Sequence, residues 1–336
     1  MIREDAHLVS NLFAEDLVKK ATRDGYGEGL LELGGINNDV WALCGDLTTS
    51  TRAKAFAEAF PDRFVEAGVA EQNMAGIAAG LALEGKIPFA SSFACFSPGR
   101  NWDQIRVSIA YSEANVKIAS SHTGLEVGGD GASHQACEDI AMMRALPNFI
   151  VVAPCDAIET KKAVFAAAEH VGPVYIRFAR EKTALFTTGK TPFEIGRAVT
   201  LTDGDDAAII ACGTMVYLSL SAAKSMFDSG MSVRVVDMHT IKPLDEEIVV
   251  KAASECGCIV TVEEHQVYGG LGGAVAEVLG REYPVPLEII GVNDLFGESG
   301  KAAELWEKYG LTSTSIAKAT KKAIKRKGAF GKRRAA

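Results

Sequence analysis

The side chains best suited to chemistry fall in four short segments, three of which follow directly on an apolar run. The strongest is His122-Thr123-Gly124-Leu125-Glu126-Val127-Gly128-Gly129-Asp130-Gly131-Ala132-Ser133-His134. Its glycines preclude a regular element, so two histidines and two carboxylates sit on a tight loop, where binding and catalytic groups concentrate. The offsets between them match no standard zinc spacing, and sugar hydroxyls are at least as good a partner.

The second segment, Glu66-Ala67-Gly68-Val69-Ala70-Glu71-Gln72-Asn73-Met74, places Glu71 where a helical pattern begins, with no basic residue near it in sequence. A carboxylate there ordinarily complements the helix dipole. Among Ala, Gly, Val and Met it would also be desolvated, which favours its protonated form and suits proton transfer. Phe93-Ala94-Cys95-Phe96 is the third; its two aromatics are by default core residues and otherwise a stacking platform. The fourth, Gly45-Asp46-Leu47-Thr48-Thr49-Ser50, offers hydroxyls and backbone donors before a helix, suited to phosphate oxygens but equally to ordinary capping.

These segments need a scaffold, and the hydrophobic pattern supplies one. Apolar runs at 40–43, 64–66, 87–90, 116–119, 149–152 and 174–178 alternate with helical patterns, which predicts a parallel, doubly wound α/β sheet. In such a sheet ligands sit at the carboxyl ends of strands. A polar, turn-prone stretch at 183–194 reads as a linker, after which strands at 207–212, 233–236, 258–262 and 287–291 and their helices predict a second, similar sheet. The expected domains are 1–185 and 195–325, with a basic tail at 326–336. A helix after Ala70, rich in Ala and Gly, is expected to be buried, with a subunit contact as one reason.

Length and composition narrow the function classes. With 336 residues, 48% hydrophobic and 23% charged, the chain has the balance of a folded protein with a sizeable core in each half. Its longest apolar stretch, 74–83, is well short of the roughly 18 residues a membrane span needs. The charged N-terminus does not read as a secretory signal, so a cytoplasmic protein is expected. Seven cysteines with no C-x-x-C pair read as reduced thiols without structural zinc. The net charge of −8 hides nine basic residues after position 317, but residues 311–327 scan as an amphipathic helix with Ile316, Ala317, Thr320, Ala323 and Ile324 inward. A solvated helix is therefore expected there, not a nucleic-acid or membrane arm.

Taken together, these residues resemble the transketolase family of thiamine-diphosphate enzymes over nearly the whole chain. Gly68-Val69-Ala70-Glu71-Gln72-Asn73-Met74 looks like the pyrimidine-binding domain, and Val262-Glu263-Glu264-His265 with Gly269-Gly270-Leu271-Gly272 looks like the C-terminal domain. The resemblance implies that Glu71 activates the cofactor by hydrogen-bonding its aminopyrimidine ring. It implies that Phe93 and Phe96 stack on that ring and that Asp46 and Leu47 bind the bent cofactor, Leu47 as the apolar wedge beneath it. It assigns His122, Asp130 and His134 to the sugar hydroxyls, His134 also to catalysis, and Arg23, Ser50 and Arg180 to substrate phosphate. Ser97-Pro98-Gly99-Arg100 departs from the family by replacing an aromatic position after Phe96.

The family's diphosphate and metal site, a Gly-Asp-Gly followed about 25 to 30 residues later by Asn, does not occur here; Gly129-Asp130-Gly131 has its next asparagine at 148. Gly270-Leu271-Gly272 does not complete a dinucleotide fingerprint, because Val275 holds the last position. No metal ligand is thus expected in this chain. The resemblance implies the C-terminal subunit of a split transketolase acting on sugar phosphates. Thiamine diphosphate and Mg2+ or Ca2+ would be held with an N-terminal partner subunit in a two-plus-two heterotetramer. A 1-deoxyxylulose-5-phosphate synthase-like chain, a 2-oxo-acid dehydrogenase β-like subunit and a non-catalytic scaffold are the rivals.

Overall fold

The computed structural model describes residues 1–334, and side chains through residue 329; the end of the expected basic tail, 335 and 336, lies outside the described residues. The first half contributes β1 (Lys19–Ala21), β2 (Val40–Cys44), β3 (Phe64–Glu66), β4 (Ile87–Phe93), β5 (Lys117–Ser121), β6 (Ile150–Val152), β7 (Val174–Arg177) and β8 (Lys182–Ala184). The second contributes β9 (Val199–Thr202), β10 (Ala207–Ala211), β11 (Val233–Asp237), β12 (Thr240–Lys242), β13 (Ile259–Gln266) and β14 (Leu287–Val292).

They form two open α/β sheets, as the alternation predicts. The first has the order β12-β6-β7-β5-β4-β2-β3 and is parallel except for β12, and the second runs β14-β13-β10-β11-β9 and is parallel except for β9. β5 and β10 are buried at every position, the mark of strands covered on both faces. β1 and β8 pair as a separate antiparallel ribbon.

The order β7-β5-β4-β2-β3 positions the site. These five strands are parallel neighbours, so the segments after them open on one rim: 178–180, 122–134, 94–100, 45–50 and 67–71.

The halves share more than a linker. β12 extends the first sheet from the second half, while Ala6, Leu12 and Leu17 pack in the second core with Leu201, Ile209 and Val260. Residues before 18, counted with the first domain from sequence, thus lie on the second. The helix Glu71–Leu83 is buried on one face only: Met74, Ala75, Ala78 and Ala79 are inside, whereas a β-carbon at Gly76 or Gly80 would meet nothing and Leu83 is 74% exposed. The final helix, Ser313–Arg334, seats Ile316, Thr320 and Ala323 in the core, with Ala317 and Ile324 against it. Lys322 and Arg326 both pair with Glu288, so part of the basic stretch is neutralised locally. Among the described residues no helix is long and apolar enough to cross a membrane.

Candidate active site

Glu71 is the first residue of its helix and its side chain is only 3% exposed. A base distant in sequence lies against it. Arg100 Nη1 donates to both carboxylate oxygens, at 3.2 and 3.3 Å, and the guanidinium lies 4.1 Å from the centre of the Phe96 ring. The cation comes from the segment that departs from the family pattern. Its turn needs a glycine, since a β-carbon at Gly99 would lie 2.0 Å from the Cys95 carbonyl oxygen. Asn101 Nδ2 then ties the turn to the Glu71 carbonyl at 3.1 Å.

The two phenylalanines divide the roles left open in sequence. Phe93 is buried, with the His122 ring stacked on it at 3.7 Å, so it backs the site. Phe96 is half-buried, lies 5.9 Å from Phe93 with its ring nearly parallel, and meets His134 edge-on at 5.3 Å. It presents the platform. Burial, reinforced by the charges of Arg23, Arg180 and Arg52, pushes His122 down to about 3, so its imidazole is neutral at working pH.

A cluster of guanidiniums stands beside this platform. Arg23 Nη1 donates to the Ser50 carbonyl at 3.0 Å while its buried Nε has no partner. Arg180 bonds the Val127 carbonyl and lies 3.6 Å from Asp130, and Arg52 pairs with Asp24 at 2.7 Å. Burial and then the Arg52 charge push Arg23 below its ordinary value. An anion placed among the three would relieve that repulsion. Arg52 escaped the sequence reading, although a cation two residues past a hydroxyl run was the available signal.

The run at 45–50 is tied to Glu66. Glu66 accepts the Asp46 N–H and the Thr48 hydroxyl, both at 2.7 Å, and the Gly68 N–H at 3.1 Å. Residues 48–53 form turns, with the helix Lys54–Ala59 starting only later. Two of the donors that suited phosphate oxygens, the Asp46 N–H and the Thr48 hydroxyl, are thus engaged by Glu66, and Asp46 is exposed. Leu47 is half-buried, and a β-carbon at neighbouring Gly45 would lie 3.8 Å from the Glu71 Cγ, so this edge borders Glu71.

The loop 122–134 is held from the second half. Glu264 Oε1 accepts the N–H groups of Leu125 and Glu126 and the Trp306 indole, at 2.8 to 2.9 Å. Glu126, fully buried with neither oxygen bonded, is pushed up by burial and by the Glu264 charge. The donors converge on Glu264, so Glu264 carries the charge and Glu126 the proton. Glu263 caps the helix Leu271–Arg281 through Leu271 and Gly272, and His265 Nε2 accepts the Ala141 N–H. The clamp by Glu264 was missed; two acids inside an apolar strand were its signal.

No part of the rim offers a metal cluster among the described residues. The three-residue group that could hold an ion, Cys155, Glu159 and Asp237, is buried where β6 and β11 end, and Asp130 of the Gly-Asp-Gly faces Arg180 instead. A cavity of about 820 Å3 lies between the helices Thr22–Ile36 and Ala157–Glu169 and holds none of the residues above.

Comparisons with known proteins agree with this geometry. Residues 18–184 match the family model "Transketolase, pyrimidine binding domain" and residues 196–316 match "Transketolase, C-terminal domain". A Methanocaldococcus jannaschii protein named as a transketolase C-terminal section is 51% identical over 90% of this chain and 95% of its own length. The 6-deoxy-6-sulfo-D-fructose transketolase subunit of a Clostridium species is 41% identical over 91% of this chain and 95% of its own. A solved structure titled "Split gene transketolase, inactive beta4 tetramer" superposes with a TM-score of 0.86 at 50% identity, covering 91% of this chain and 99% of that one.

Proposed function

Because this chain belongs to the transketolase family, as the C-terminal part of a split enzyme, we propose that it supplies the aminopyrimidine-binding half of a thiamine-diphosphate site. A separate N-terminal subunit would hold the diphosphate and its divalent metal, Mg2+ or Ca2+, in a two-plus-two heterotetramer located in the cytoplasm. The reaction is transfer of a two-carbon ketol unit from a ketose phosphate to an aldose phosphate.

The observation that carries this reading is the seat formed by Glu71 and Phe96. A planar cation with N–H donors, the Arg100 guanidinium, already fits there, stacked on the ring and bonded to the carboxylate. An aminopyrimidine offers the same flat face, and a ring nitrogen that can share a proton with the carboxyl. The residues therefore suit the group. When bound, thiamine diphosphate supplies the nucleophilic carbon that attacks a ketose carbonyl.

This chain's residues do the rest. Glu71, shielded from water, holds a proton against a pyrimidine ring nitrogen, a role only a protonatable carboxyl fills. Phe96 orients the ring, with Phe93 behind it and Leu47 as the apolar edge. His122 as a neutral imidazole, His134 and Asp130 bond sugar hydroxyls, and His134 is placed to move a proton to the reacting oxygen. Arg23, Arg180 and the Ser50 segment, with Arg52, hold the terminal anion. The Clostridium relative is named for a sulfonated sugar, and guanidiniums suit either anion.

The test is ketol transfer from xylulose 5-phosphate to ribose 5-phosphate by this chain mixed with the N-terminal subunit, with Glu71→Gln as control. Transfer that survives Glu71→Gln would sink the assignment of Glu71. Carbon dioxide release from a 2-oxo acid without ketol transfer would replace the reading with one of its decarboxylating rivals.

A further inference from the structure

We propose that Arg100 is a displaceable occupant of the pyrimidine seat, closing it in the unliganded chain and leaving it as the cofactor enters. The inference rests on the reading of Glu71 and Phe96 given above. Its ground is that one guanidinium uses both binding elements at once, the carboxylate at 3.2 and 3.3 Å and the ring face at 4.1 Å.

The Arg100 side chain is built to leave. It is 48% exposed, and among the described residues it donates to no group except Glu71. Arg177 shows the contrast: it is buried and bonded to both Asp139 and the Glu264 carbonyl, a fixture of the core. A buried carboxylate left without a partner is costly, so an ionised Glu71 in the empty site is stabilised by a cation beside it. Arg100 meets that need in the empty site on a long, flexible stem. The backbone need not move, because Asn101 holds the turn to the helix start independently of the guanidinium.

A seat that is occupied part of the time weakens apparent affinity by the fraction in which it is open. Removing the occupant therefore tightens cofactor binding, whereas removing a residue that grips the cofactor weakens it. The opposite signs make Arg100 a positioning residue whose role can be read without measuring turnover.

The experiment is calorimetric titration of the two-subunit complex with thiamine diphosphate and Mg2+, using wild type, Arg100→Ala and Arg100→Lys. If the seat is closed about nine-tenths of the time, Arg100→Ala lowers Kd about tenfold. Arg100→Lys, which keeps the charge but not the flat face, falls between that variant and wild type. An unchanged or raised Kd in Arg100→Ala, with wild type binding normally, overturns the inference and leaves the proposed function standing. Failure of wild type and variants alike to bind the cofactor overturns both.

Discussion

Glu264 Oε1 accepts the backbone N–H of Leu125 at 2.8 Å, so a strand of the second half fixes the loop that carries His122, Asp130 and His134. The carboxylate also takes the Glu126 N–H and the Trp306 indole. Glu264→Ala leaves these donors buried without an acceptor. We expect a loss of about 3 kcal/mol in urea unfolding and a smaller loss for Glu264→Gln, which keeps an acceptor oxygen. Equal stability of Glu264→Ala and wild type would show that the loop is held by other contacts.

Arg180 stands beside Asp130, and with Arg23 and Arg52 it forms the rim's cationic corner. Arg180→Ala is expected to raise KM for a phosphorylated aldose by about 10- to 100-fold, the cost of one charge-assisted pair, with little change in kcat. The same variant should treat an unphosphorylated aldose as wild type does. A matching loss on both substrates would remove Arg180 from the phosphate site.

His134 meets the Phe96 ring edge-on, on the loop that Glu264 clamps. His134→Ala should lower kcat/KM by about 100-fold or more in the assembled enzyme, within the usual range for loss of a proton-transfer group. A scaffold subunit would tolerate the change, so unaltered activity would favour that rival.

Much of this arrangement was legible in sequence, for a physical reason. Strands buried on both faces carry mostly apolar runs, so β2, β4, β5, β7, β10 and β11 announced themselves, and the rim position of 93–96 and 122–134 followed from a parallel sheet. The three- and four-residue strands β1, β8, β9 and β12 did not, because their pairing is decided by tertiary contacts. The Arg100–Glu71 pair spans 29 positions and the Glu264–Leu125 clamp 139, and no local pattern encodes such distances. For the same reason Glu66 was not seen to engage the donors of Asp46 and Thr48, 18 to 20 positions away.

Glu159 and Asp237 meet across the seam between the halves. Burial pushes Glu159 up to about 7, and burial with the Glu159 charge pushes Asp237 up as well. The folded pair keeps a proton that the unfolded chain releases near the usual carboxylate value of 4.5. The stabilising contribution of Glu159 is therefore full below pH 4.5 and lost as pH rises through about 7. Thermal unfolding should show a falling Tm over that window, and Glu159→Gln should flatten it. An identical slope in the variant would place the titration elsewhere.

The central claim is that this chain holds half of a thiamine-diphosphate site. Its most direct test is calorimetric titration with thiamine diphosphate and Mg2+ of the chain alone, then of the chain mixed with the N-terminal subunit. The account predicts metal-dependent binding only in the mixture, lost or much weakened in Glu71→Ala. Equally tight, metal-dependent binding by the chain alone would contradict it, because the metal site would then have to lie within this chain.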